Sequence, residues 1–337
     1  MKNSALTLAI LGLFAGSASA QSTVTIYGLV DLGVSKLNNG TSFLTGLPVG
    51  LTGTPDTWNM RPSTSSRLGF RGNEDLGGGL KANFSIEHRL DASTGTEQSG
   101  QGGMWRGHSW VGLSSTTFGE VRLGRMQNPA LYVAQRGDPW SWDYNVGSVQ
   151  VINRAGNGVT YAANSALYIT PNFNGIQGML QVGLGEGGVT AASPSGNTDR
   201  TLGANLTYLK GPWYAGVGYN EVRVQNSPNE NKYLVVTGTY DFGPIKPILQ
   251  YTTAKNVSTV TSKSYTVGAT APLAAGFVKA VASRYDPAGA NNTTTKVGLG
   301  YEYFLSKRTS LHADVGSGKT QGLTRTTGFE AGMKHQF

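Results

Sequence analysis

Between residues 63 and 90 the chain reads STSSRLGFRGNEDLGGGLKANFSIEHRL, and its charged residues recur on alternate positions. Arg67, Gly69 and Arg71 share one parity before the NEDLGGG turn, and Lys81, Asn83, Ser85, Glu87 and Arg89 share one after it. The other parity carries Leu68, Phe70, Ala82, Phe84 and Ile86. A period of two puts these sets on opposite faces of paired β-strands. Guanidinium, ammonium and carboxylate groups fixed in rows on one face set up a field and change the local concentration of mobile ions. The opposite face is thin and apolar. That combination suits a wall between lipid and a water-filled lumen.

The elements that must carry these residues repeat along the chain. A first strand spans about 23–34, with Val24, Ile26, Val30 and Leu32 on one face and Thr25, Tyr27 and Asp31 on the other. Fifteen more follow, at about 64–72, 80–90, 105–114, 119–126, 165–173, 176–185, 201–209, 212–223, 232–242, 245–255, 263–271, 276–285, 293–304, 309–317 and 325–337. Connections such as 174–175, 210–211 and 243–244 are short, whereas those at about 186–200, 224–231 and 318–324 are long. An even strand count with short turns on one rim and long loops on the other predicts an all-β fold, a sixteen-stranded antiparallel transmembrane β-barrel. Closure also removes the sheet edges that would aggregate.

Composition agrees. The 337 residues hold 48 Gly and no Cys, with a formal net charge of +8. Without cysteine there is no disulfide framework and no Cys-based zinc or redox chemistry. Lys2, the apolar run from Leu6 to Phe14 and Ala18-Ser19-Ala20 have the pattern of a secretory signal, so residues 1–20 are expected to be removed, leaving 21–337 with a charge of about +7. No later apolar stretch reaches ~18 residues, so a membrane assignment rests on strands. The basic residues are dispersed at strand spacing, which argues against nucleic acid.

Segment 127–157 breaks the rhythm with NPALYVAQRGDPWSWDYN, and a long loop of this kind is usually functional. The last strand places Phe329, Ala331, Met333 and Phe337 on one face, and Glu330, Gly332, Lys334 and Gln336 on the other. Phe337 is expected at the lipid interface as a girdle aromatic.

The words QSTVTIYGLVD, SRLGFRGNEDLGGGLKA, WVGLSS, FGEVRLGR, YITPNFNG, LSKRT and GMKHQF, spread in order from residue 21 to the end, resemble the general porins of β-proteobacteria and their Gram-negative relatives. The resemblance implies an outer-membrane homotrimer passing small hydrophilic solutes and ions, with the third loop, here 127–157, folded inward. It also implies loop acids, Asp138 and Asp143, facing a ladder of wall arginines that includes Arg67 and Arg71. This chain departs from the pattern twice. Gly107 stands where relatives commonly carry Arg, with Arg106 one residue earlier and facing the wrong side unless a bulge re-aims it. Arg154 lies ten residues ahead of Asn164, farther than the pattern expects.

Arg67, Arg71, Lys81, Arg106 and Arg122 are therefore the expected basic wall of the constriction. With Arg89 and Lys334 they outnumber the inward acids Glu87, Glu120, Glu330, Asp138 and Asp143, and the expected outcome is a mild anion preference. A pore needs no catalytic group and no cofactor. Other readings are a solute-specific channel, a barrel enzyme, or a plugged structural or adhesive barrel. The stretch ADVGSGKT at 313–320 loosely matches a phosphate loop, but a strand and not a helix follows it. Arg136-Gly137-Asp138 spells an adhesion tripeptide inside the loop already assigned to the pore. His88, His108, His312 and His335 show no ligand spacing, so no metal site is expected. Asp31, Tyr27 and Glu330 could bond across the seam between the first and last strands as readily as serve the pore.

Overall fold

The computed structural model describes residues 23–38, 58–98, 104–143, 145–153, 160–184, 200–223, 230–256, 260–287 and 293–337. Residues 1–20, the expected leader, and Arg154 lie outside them.

Among the described residues, alternating side chains build one antiparallel sheet of 18 strands. They are β1 (Thr23–Leu37), β2 (Trp58–Arg61), β3 (Ser66–Gly77), β4 (Leu80–Asp91), β5 (Thr96–Glu97), β6 (Ser109–Ser115), β7 (Gly119–Gln127), β8 (Tyr161–Ile169) and β9 (Ile176–Gly183). The second half comprises β10 (Arg200–Lys210), β11 (Trp213–Arg223), β12 (Glu230–Tyr240), β13 (Lys246–Lys255), β14 (Thr261–Leu273), β15 (Gly276–Asp286), β16 (Thr294–Phe304), β17 (Thr309–Thr320) and β18 (Thr326–Gln336). β5 only extends the outer end of β4, through Leu90↔Glu97 and Asp91↔Thr96. β2 and β3 are two pieces of one wall strand, because both pair with β1, through Gly33↔Arg61 and Leu29↔Arg67. The wall is thus sixteen strands, as expected. β1 also pairs with β18 from Leu29↔Gln336 to Leu37↔Gly328, which closes the barrel.

Burial is inverted relative to a water-soluble protein. Val24, Ile26, Val111, Leu113, Val121, Leu123, Val297 and Leu299 are exposed, while Asp31, Ser85, Glu87, Gln181, Thr252 and Glu330 on the opposite parity are buried. Apolar residues facing outward are stable only against hydrocarbon, where strands cross because the closed sheet satisfies its own backbone. No helix among the described residues is long and apolar enough to cross a membrane. The turn between β3 and β4 is tight because Gly77, Gly78 and Gly79 have φ of 82°, 60° and 80°, a region that costs glycine nothing.

Two expectations are corrected. The strand read at 165–173 runs four residues earlier. Pro171 has no N–H for the ladder, and the Asn172 side chain accepts from the Gly175 N–H at 2.7 Å, so 170–175 turns instead of extending. Segment 127–157 is also not one structureless loop. It holds α1 (Pro129–Gln135) and a short α2 (Gln150–Asn153). Asn128 caps α1, its side chain accepting from the Ala130 N–H at 2.9 Å, and Pro129 occupies the first turn, where its missing N–H costs nothing.

Candidate pore constriction

Segment 128–153 is fastened to the polar face of the barrel at both ends. Around α1, the Asn128 amide donates to Asn220 Oδ1 at 2.6 Å, and Asn205 donates to the Pro129 carbonyl at 2.8 Å. Thr237 and Gln250 donate to the carbonyls of Val133 and Ala134, at 3.0 and 2.9 Å. Ala130, Leu131, Val133 and Ala134 pack with Trp142, Tyr233, Val235 and Ala254 in a small apolar cluster. The wall makes room by omitting side chains: a Cβ on Gly218 would meet Ala130, one on Gly298 would meet Gly147, and one on Gly316 would meet Val146. Inward glycines mark close approach of a second backbone.

The tip of the segment is held by a buried cluster at the seam. Asn145 Nδ2 lies 2.6 Å from Asp314 Oδ2, 2.9 Å from Glu330 Oε1 and 2.9 Å from Ser63 Oγ. Trp140 Nε1 donates to Asp314 Oδ1 at 2.8 Å, and Arg61 pairs with Glu330. Asp31 accepts from the backbone N–H groups of Ser63 and Thr64, at 3.1 and 3.2 Å. His312 is not isolated after all, standing between Asp314 at 3.1 Å and Asp31 at 3.6 Å. His312, Asp314 and Glu330 have the donor types of a metal site, with ligand atoms within 4.8 Å of one another. Arg61 and Asn145 already donate to these carboxylates, so the cluster is a clamp made of protein groups. Asp31 and Glu330 are thus bonded within the buried cluster at the seam.

Beside the clamp, the basic wall lines two cavities. The first, about 460 Å³, is bordered by Arg67, Arg89, Arg106, Lys334, Glu87 and Asp143, with Gln135, Ser141 and Gln150 from the fastened segment. The second, about 570 Å³ and nearer the short turns, is bordered by Arg71, Arg122, Glu120, Trp110, Tyr27 and Glu87. Arg122 is held in two bonds of 2.8 Å by Glu120 and lies 4.2 Å over the Trp110 ring; Arg71 lies 5.1 Å over Tyr27. Glu87 pairs with Arg89 at 2.7 Å, and Lys334 with Glu302 at 2.6 Å.

The expected residues separate accordingly. Arg67, Arg71 and Arg122 face the two cavities. So does Arg106, because residues 104–108 depart from strand geometry ahead of β6; its guanidinium reaches the Gln98 carbonyl and it is 6% exposed. Lys81 does not join them: it is exposed beside the β3–β4 turn, in register with Asp75 and Ser114. Asp143 faces Arg67 and Lys334 across the first cavity and accepts from Thr64 Oγ1 at 2.8 Å. Burial pushes its carboxyl up to about 6, although Lys334, Arg67 and the Thr64 hydroxyl pull the other way. Asp138 does not face the arginines. It is 3% exposed and bonds to the Ser148 hydroxyl and the Trp140 N–H, near Lys296, so burial raises its pKa and its role is to brace the segment from within. Phe337 is exposed on the outward face with Phe329 and Met333; its backbone exchanges bonds of 3.0 and 3.1 Å with Gly28, over which its ring packs.

Sequence reasoning missed Arg61 and Asn145. Both lie in stretches read as loops, where no strand parity shows which way a side chain points. The inward glycines of β11, β16 and β17 were the available signal for a docked segment.

A closed barrel with an apolar exterior and a charged, cavity-lined interior is an outer-membrane diffusion channel. The family model for the Gram-negative porins matches residues 5–323, and the chain belongs to that family. Over the whole length of both chains it is 30% identical to outer membrane porin protein 32 of Delftia acidovorans, and 26% identical to the major outer membrane protein P.IB of Neisseria meningitidis serogroup B. It is similar to the solved anion-selective porin from Comamonas acidovorans, with a TM-score of 0.78 and 29% identity over 94% of this chain and 100% of that one. These relatives are channel proteins.

Proposed function

We propose that this outer-membrane channel passes small hydrophilic solutes and ions with a mild preference for anions, and that segment 127–157 narrows its lumen. The observation that carries the reading is the lining of the first cavity. Arg67, Arg89, Arg106 and Lys334 stand on the wall, against the carboxylates of Glu87 and Asp143. Fixed cations in excess raise the local concentration of anions, and the opposition of wall cations to the loop carboxylate of Asp143 sets a transverse field that orients dipolar solutes. The similarity to the anion-selective porin from Comamonas acidovorans supports the same direction.

Transport is diffusion through a charged passage and makes or breaks no covalent bond. The working unit is proposed to be a homotrimer in outer-membrane lipid, with residues 1–20 removed on export. Single-channel recording of the refolded protein in a planar bilayer under a salt gradient tests the reading. The expected result is an ohmic current with an anion-selective reversal potential that weakens in Arg67→Ala. A cation-selective current would overturn the assignment of the wall. The absence of current would favour the plugged barrel.

A further inference from the structure

Resting on the anion-preferring reading, we infer that Glu87 is a selectivity-determining residue: a carboxylate set into the arginine ladder that divides it into two anion stations.

The strand register defines the rows of the inner wall. Arg67 lies opposite Arg89, with Leu29 beside it on β1. One row nearer the short turns, Tyr27, Gly69 and Glu87 lie side by side, and the Glu87 N–H donates to the His108 carbonyl at 2.7 Å. The next row is Arg71, Ser85 and Trp110. Successive inward rows are about 7 Å apart along a strand, so one carboxylate row separates two guanidinium rows. Glu87 and Tyr27 are also the side chains that border both cavities. An ion moving from the Arg67 station to the Arg71 station passes Glu87.

The surroundings are built to hold that carboxylate. Glu87 is 3% exposed. Tyr27 donates to its Oε2 at 3.2 Å, and Arg89 Nε lies 2.7 Å from its Oε1. Gly69 leaves space for the Tyr27 ring, and a Cβ at Gly107 would strike the Glu87 side chain. Two glycines thus clear the volume that Tyr27 and Glu87 occupy. An unbroken run of guanidinium groups would bind anions strongly and release them slowly, whereas conduction requires sites weak enough, and separate enough, for one ion to displace the next. Glu87 offsets the charge of Arg89 and lowers the potential between the stations.

The test compares wild type, Glu87→Gln and Tyr27→Phe in planar bilayers, reading reversal potential in a KCl gradient and conductance over a series of KCl concentrations. Glu87→Gln is expected to raise the anion-to-cation permeability ratio roughly twofold and to make conductance saturate at lower KCl. Tyr27→Phe keeps the charge and is expected to keep the wild-type ratio. An unchanged ratio in Glu87→Gln, or an equal shift in Tyr27→Phe, overturns the inference. If Glu87→Gln does not fold, Arg89→Gln and the double variant Glu87→Gln/Arg89→Gln isolate the same charge, and the double variant must show the higher anion ratio. The two readings fail separately. A cation-selective wild type would sink the anion preference, while a ratio that still rose in Glu87→Gln would keep Glu87 as a determinant.

Discussion

Arg67 and Arg89 face each other directly across the β3–β4 ladder. Like charges in directly opposed positions destabilise a sheet by about 0.2–1 kcal/mol, so this pair is not explained by stability alone. Removing Arg67 relieves that repulsion and also breaks the bond from its Nε to the Ser65 carbonyl at 3.1 Å, which is worth ~1 kcal/mol. For Arg67→Gln the two effects offset, and unfolding stability is expected to stay within about 1 kcal/mol of wild type while anion preference falls. Thermal unfolding in detergent, set beside the reversal potential, checks both halves. A large loss of stability would make Arg67 a structural residue.

Asn145 ties the tip of the segment to Ser63, Asp314 and Glu330. Asn145→Ala removes one donor from each of two buried carboxylates, which keep Trp140 and Arg61, at a cost of roughly 1.5–3 kcal/mol per bond to a charged group. The expected phenotype is a segment that moves, seen as increased open-channel noise in single-channel traces. Traces as quiet as wild type would show that α1 alone fixes the segment.

Gly316 and Gly298 lie against the backbone of Val146 and Gly147. A β-branched side chain at 316 must push the segment away from the wall, and overpacking of this kind costs about 1–3 kcal/mol. Gly316→Val is therefore expected to lower single-channel conductance, whereas the same change at Gly238, where a Cβ meets nothing within 4 Å, should leave it unaltered.

The carboxyl of Asp143 titrates near 6, raised by burial. Above that pH it is charged and offsets the cations opposite; as pH falls through 6 it takes up a proton and the lining gains one net positive charge. Anion preference is expected to rise between pH 7.5 and pH 5. Asp143→Asn should show the higher preference at both values, and a pH response that survives in that variant would assign the titration elsewhere.

Strand parity carried most of the wall into view from residue order alone. Arg67, Arg71 and Arg122 needed only to be counted in twos, since a regular strand leaves a side chain no other direction. Arg106 could not be read that way, because residues 104–108 are not a regular strand. Asp138 and Asp143 are five residues apart in the same segment, yet one braces it internally and the other faces the arginines. That difference depends on Ser148, Lys296 and Thr64, groups brought near by the fold. Lys81 has the right parity but the wrong height, and periodicity reports the face, not the distance to the narrowest level.

The four residues 62–65 that interrupt the wall between β2 and β3 have a consequence for assembly. They offer the backbone N–H groups of Ser63 and Thr64 to Asp31 of the first strand, and the hydroxyls of Ser63 and Thr64 to Asn145 and Asp143 of the central segment. Asn145 in turn reaches Asp314 and Glu330 on the last two strands. The chain's beginning, middle and end meet at one point, where the buried side-chain cluster beside the β1–β18 ladder is completed by the central segment. The first strand, the central segment and the last two strands therefore share one set of buried bonds, and a chain without that segment would lack the Asn145 part of it.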